Sequence, residues 1–351
     1  MNAYNTSINY LKALGISLMV LGHTRVNPQV IAFIYMFHMP LFFIASGYCF
    51  KEKYLSAPRK YIYNKVKGIY WPYVKWSLLF LLLHNVCFHL HIYSDQYGWK
   101  EHVSHLYAFS EFLSRATSII FKMQGHEQLL GGYWFMNALF FGSLIVWLVI
   151  RYVKLPLCGG AILIVICTVL NKTCWQIPFI NISSQAFAAG LLIYIGYSLA
   201  KYRIKPFNYW QIALSLSITL IGSFVWNMAM DQNSYSNKRF IPYIITAVLA
   251  SWSFYSLFDK MKSSHGICAK ALDFIGKNTL TILTWHFLAF KLVSLLIIGV
   301  YGLPIERLAE FPVITEYSQQ GWWLAYFIVA MIVTCGIAYC NKQIKNNWLK
   351  L

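Results

Sequence analysis

Long apolar runs alternate with short polar connections along the whole chain, and the runs have one characteristic length. A helix needs about 20 mainly apolar residues to cross a bilayer. Ten runs meet that length: 8–26, 30–50, 70–92, 132–151, 155–172, 182–201, 208–229, 239–259, 272–299 and 320–341. The connection 93–131 is the long exception, and its piece "SEFLSRATSIIF" has the amphipathic pattern of a helix lying in the membrane interface. No repeat or low-complexity tract divides the chain. The pattern predicts an all-α, polytopic membrane helical bundle of about ten transmembrane helices, with residues 1–351 forming a single domain.

Composition narrows the class. Hydrophobic residues make up 58% of the chain and charged ones only 11%, against about 25% charged in ordinary soluble domains. The net charge of +18 raises nucleic acid as a partner, but a nucleic-acid binder gathers its basic residues into a soluble patch. Here they sit between apolar runs, so membrane lipids are the expected surroundings and nucleic acid is not. The N-terminus lacks a basic leader and a small-residue cleavage site, so the first run is expected to stay as a span. The eight cysteines form no CxxC pair and fall mostly in or beside apolar runs, which reads as small apolar thiols. No metal site is expected.

Charge also orients the bundle. The segment after the second run, "KEKYLSAPRKYIYNKVK", is strongly basic, and further Lys and Arg recur in every second connection and in the tail. The alternate connections carry most of the acidic residues, among them Asp95, Glu111, Glu127, Asp231 and Glu306. Basic residues stay inside, so both termini are expected in the cytoplasm.

Two ionisable residues break the first run, "KALGISLMVLGH". Eleven helical steps bring His23 back to within about 20° of Lys12 and about 16 Å along the same stripe. With the N-terminus inside, Lys12 lies toward the cytoplasm and His23 toward the outer side. An ordinary alternative is that Lys12 reaches the headgroups and His23 ends the helix. Two further histidines argue for more. His38 lies in "FHMPLFFIASGY", where Pro40 should loosen the helix and Ser46 and Gly47 leave room for a neighbouring helix or a ligand. His286 lies in the outer half of the ninth run. Three intramembrane histidines predict a polar chamber. Neutral imidazole can take a proton from a hydroxyl near neutral pH. A cation deeper on the stripe can hold an anionic cosubstrate arriving from the cytoplasm, and Lys65 and Lys67 stand at the cytoplasmic mouth before the third run. Trp134 and Asn137 fall at the outer mouth of the fourth run, where the Trp is either a membrane anchor or a stacking surface for a ligand. Asn278 reads as a helix cap or a cosubstrate contact, and Asp231 and Arg239 as outer-loop charges.

The basic residue and histidine separated by ten positions, followed by "FHMPLFFIASGY", resemble the N-terminal hallmark of the integral-membrane acyltransferases of family three. The runs "YWFMNALF" (133–140) and "IGKNTLTILTWH" (275–286) are similar to those of its fucose 4-O-acetylase-like branch. Many members have Arg where this chain has Lys12, and paired arginines where it has Lys65 and Lys67. The resemblance implies a bacterial inner-membrane enzyme that carries an acetyl group from cytoplasmic acetyl-CoA to a saccharide acceptor, such as a surface polysaccharide or its lipid-linked precursor. Lys12, Ser46, Gly47, Lys65, Lys67 and Asn278 would then serve the cosubstrate, and Trp134 and Asn137 the acceptor. His23, His38 and His286 would carry the chemistry. A transporter or flippase of a lipid-linked saccharide is the alternative class, although the halves of the chain show no repeat of the kind common in transporters.

Overall fold

A computed structural model describes residues 5–99, 103–153, 155–173, 181–226, 239–263 and 265–348. Asp231 lies outside the described residues. These residues form helices and turns, with no sheet among them. In chain order the helices are α1 Thr6–His23, α2 Pro28–Tyr35, α3 His38–Tyr48, α4 Pro58–Lys65, α5 Trp71–Leu82, α6 His84–His89 and α7 Phe109–Lys122. There follow α8 Trp134–Tyr152, α9 Pro156–Thr173, α10 Ser184–Lys201, α11 Tyr209–Trp226 and α12 Phe240–Met261. The last are α13 Ile267–Lys277, α14 Thr279–Tyr301 and α15 Trp323–Trp348.

Among the described residues, five helical stretches are long and apolar enough to cross a membrane: Pro28–Tyr48, Gln128–Tyr152, Phe240–Met261, Thr279–Tyr301 and Thr315–Asn346. Two shorter apolar helices, Leu157–Leu170 and Tyr209–Val225, correspond to the expected fifth and seventh runs. The chain is thus a helical membrane bundle. The expected run 70–92 is split into α5 and α6 around Leu83, and α6 is the polar sequence HNVCFH. The long connection does form an amphipathic helix, α7, with Phe109, Leu113 and Phe121 exposed, as an interfacial helix requires.

Two compact units are present. The first comprises residues 1–15, 32–73 and 134–273, and the second 16–31, 74–133 and 274–351. In the first unit, α10 packs on α3, α8 and α9, and α12 packs on α11 and α3. Small residues make this close packing possible. A Cβ on Gly47 of α3 would fall inside the Ile193 carbonyl of α10, and a Cβ on Gly196 of α10 would fall inside the Ile44 carbonyl of α3. The two helices therefore touch backbone to backbone, as small-residue interfaces allow in lipid. Pro40 occupies the first turn of α3, where its missing N–H breaks no helical bond; the chain interrupts the helix just ahead of it, at Met36–Phe37.

The second unit is centred on α14, which packs against α15, the turn Gln128–Tyr133 and the turn Ile305–Ala309. Each contact is pinned by a polar bond. Tyr133 and Thr284 share a hydroxyl–hydroxyl bond of 2.7 Å, and Ser294 and Tyr326 one of 2.9 Å. The helix stops at Gly302, whose left-handed backbone (φ 62°) closes the last turn onto Ile298.

Candidate active site

α1 is one uninterrupted helix, so Lys12 and His23 keep the register read from the sequence. Its first ten residues belong to the first unit and its last eight to the second.

In the second unit the last residue of α1 meets α14. His23 Nδ1 lies 3.1 Å from His286 Nε2, and the two rings meet edge to edge, nearly coplanar, with centroids 5.3 Å apart and planes 15° from parallel. Phe287 packs on both, at 4.8 Å from His23 and 3.9 Å from His286. His286 is fully buried, and its Nδ1 points at the carbonyls of Leu283 (3.0 Å) and Ile282 (3.2 Å). A ring nitrogen facing carbonyls must be the one that carries hydrogen. Nδ1 of His286 therefore donates, which leaves its Nε2 as the acceptor. His23 Nδ1–H then donates to that Nε2, and the basic lone pair of His23 resides on its own Nε2. The Ser318 hydroxyl donates to the Thr24 carbonyl, fixing the chain directly after His23. Such a pair can accept a proton at His23 while His286 orients the ring.

His38 falls in the first unit. It is buried, its Nδ1 lies 3.0 Å from the Ile34 carbonyl, and Tyr35 packs against it at 4.9 Å. Within the described units the imidazoles that meet are thus His23 and His286.

The cationic residues expected at the cosubstrate lie in the first unit. Lys12, Lys51 and Lys65 all lie near enough to the Cys49 thiol at the end of α3 to act on it electrostatically. Lys65 is held there by its Nζ, which donates to Ser143 Oγ of α8 at 3.0 Å, while the Tyr61 hydroxyl donates to the Ser143 carbonyl at 3.0 Å. Lys65 precedes the apolar run 70–92, and burial pushes its ammonium down to about 8. Lys51 was not singled out in the sequence; the basic segment around it offered no means of choosing. Lys67 sits in the π-helical turn Val66–Tyr70 and is exposed. Gly47 is taken up by the contact with α10, and Ser46 beside it is half-buried. Asn278 stands between α13 and α14, its amide donating to the Phe274 carbonyl at 2.8 Å. Trp134 opens α8 half-buried, and Asn137 is buried one turn further on. Arg239 is exposed immediately before α12.

Two polar features of the second unit went unread. Lys291 of α14 is buried, and its Nζ donates to the carbonyls of Leu308 (2.8 Å) and Glu310 (2.7 Å). A lysine inside "WHFLAFKLVSLL" was itself the signal, since a cation at that depth has a partner. The second is His84, whose Nδ1 lies 3.1 Å from Glu127 and whose Nε2 lies 3.0 Å from the His105 carbonyl, with both side chains buried. It ties α6 to the segment that leads into the Gln128–Tyr133 turn.

The long apolar helices define a multi-pass membrane protein. A family model described as "Acyltransferase domain", that of acyltransferase family 3, matches residues 5–342, and the chain belongs to this family. It is a membrane acyltransferase, which sets the transporter alternative aside. No curated protein and no solved structure matches the chain.

Proposed function

We propose that the protein is an O-acetyltransferase that takes acetyl from cytoplasmic acetyl-CoA and delivers it to a sugar hydroxyl of a surface polysaccharide or its lipid-linked precursor. The observation that carries this reading is α1 itself, which bears an ammonium at Lys12 and ends on an imidazole oriented by His286, in a chain of the acyltransferase family. The runs at 133–140 and 275–286 favour the fucose 4-O-acetylase-like branch within it. A bacterial inner-membrane location with both termini cytoplasmic follows from the same reading and from the basic connections.

In the proposed reaction, His23 Nε2 accepts the proton of the sugar hydroxyl as its oxygen attacks the thioester carbonyl. The resulting imidazolium is stabilised through Nδ1–H by His286 Nε2. Collapse of the tetrahedral intermediate breaks the carbon–sulfur bond, and the thiolate of CoA takes the proton back from His23. Lys12, Lys51 and Lys65 hold the phosphates of the carrier. Lys67 and Asn278 are further contacts on the cytoplasmic side, with Ser46 beside the helix contact at Gly47. Trp134 and Asn137 remain proposed acceptor contacts, and His38 remains a catalytic candidate on the family resemblance.

Radiolabelled acetyl-CoA binding to the detergent-purified protein tests the reading. Lys12→Ala is expected to weaken binding about tenfold, the worth of one charge-assisted contact. Wild-type protein that retains no label would overturn the donor assignment.

The Lys65 ammonium adds a pH test. Below about 8 it is charged and attracts phosphate; above that it becomes neutral and the attraction fades. Acetyl-CoA affinity is therefore expected to fall as pH rises through 8 and beyond, by up to about tenfold. Lys65→Arg, which stays charged, should flatten the profile. An equally steep fall in Lys65→Arg would assign it to another group.

A further inference from the structure

The second unit carries an aromatic path that starts at the histidine pair and ends at the surface. Phe287, packed on His23 and His286, also touches Phe311 with ring centroids 4.6 Å apart. Phe311 in turn meets Trp99 edge to face at 5.2 Å. Trp99 is 38% exposed, whereas Phe287 is almost fully buried. A tryptophan that merely anchors a protein in the headgroups needs only an amphipathic ring. This one has a mount. Its backbone N–H donates to Oε1 of the buried Gln128 at 3.1 Å, and Gln128 Nε2 donates to the Ile92 carbonyl at 3.2 Å. Gly98 precedes it with φ 83°, a conformation that a Cβ would strain, and the Gln128 carboxamide fills the space where that Cβ would lie. A Cβ on Gly131 would come within 3.0 Å of the Trp99 ring and 3.2 Å of the Phe311 ring, so glycine there lets both rings lie on the backbone. Phe311 is positioned as firmly, because Lys291 binds the carbonyl of Glu310, the residue before it.

We propose that Trp99 and Phe311 form an outer subsite for a pyranose ring of the acceptor, joined by packed rings through Phe287 to His23 and His286. The chemistry fits a sugar. One face of a pyranose presents several polarised C–H bonds, which pack against the electron-rich face of an aromatic ring, while its hydroxyls stay at the rim. An aromatic ledge gives little preference among hydroxyl patterns, as suits an outer station on a saccharide chain. Lys291 acts as a positioning residue, and Gln128 as the mount of the ledge. This subsite rests on the reading of a saccharide acceptor above.

Saturation-transfer NMR tests it on the full-length protein in detergent, with the methyl glycosides of glucose, galactose and fucose as probes, beside radiolabelled acetyl-CoA binding to the same preparations. Wild type and Trp99→Phe are expected to saturate the ring C–H protons of at least one glycoside. Trp99→Ala should lose about tenfold in glycoside affinity, the size of one aromatic contact together with the area it covers, with acetyl-CoA binding unchanged. Glycoside signals that are absent in wild type, or equal in Trp99→Ala, would overturn the subsite. A Trp99-dependent glycoside signal in protein that binds no acetyl-CoA would uphold the subsite and overturn the donor reading instead.

Discussion

His23→Ala is expected to lower acetyl transfer by about 10²–10⁴-fold while leaving acetyl-CoA binding within about twofold of wild type. The hydrogen-bond pattern gives the reason. His286 presents its Nδ1 to backbone carbonyls and so offers only an acceptor to His23, which confines the transferable proton to His23 Nε2. The cations proposed to hold the carrier belong to Lys12, Lys51 and Lys65, and the substitution changes none of them. Transfer at the wild-type rate in purified His23→Ala would remove His23 from the chemistry. The companion variant His286→Ala separates orientation from proton transfer. Loss of the acceptor frees the tautomer of His23 and withdraws support from its imidazolium. We expect kcat to fall, because a His23 free to adopt the other tautomer presents N–H rather than a lone pair to the acceptor hydroxyl. An unchanged kcat, with KM alone raised, would make His286 a packing residue.

Gly47→Ala is expected to produce the largest loss of stability of any single methyl addition to the first unit. The new Cβ would meet the Ile193 carbonyl, and a backbone cannot swing aside as a flexible side chain can. α3 and α10 must separate, which forfeits contacts along both helices. Overpacking of this kind costs about 1–3 kcal/mol, enough to lower the thermal midpoint by several degrees. Gly196→Ala should act alike through Ile44. Because the first substitution already parts the helices, the double variant should fall well short of the sum of the two. Thermal unfolding in detergent is the check. A midpoint for Gly47→Ala equal to that of wild type would show that the helices part without cost.

Much of this organisation is written locally in the chain. Apolar runs announce helices because each needs only its own residues to satisfy its backbone in lipid. The register of Lys12 and His23 follows from helical geometry alone, and Pro40 marks a break for reasons confined to a few residues. What could not be read is relational. His286 was visible as an intramembrane histidine, but its tautomer depends on the carbonyls of Leu283 and Ile282 and on the approach of α1. Gly47 and Ser46 read equally as room for a ligand or for a helix, and only the position of α10 distinguishes them. The mount of Trp99 joins residues 98, 128 and 131 of the long connection to residue 92 just before it, where no period relates one position to another. Lys291 was legible as an anomaly, though its partners are turn carbonyls that sequence cannot pick out.

The pairing of His23 with His286 joins positions 263 residues apart. A polypeptide enters the membrane from its N-terminus, so Lys12 and the helices around it are in place long before the orienting histidine has been synthesised. Until α14 arrives, a half-made chain holds His23 without the partner that sets its tautomer. Order of synthesis thus makes the setting of this tautomer a late event, one that waits on the C-terminal quarter of the chain.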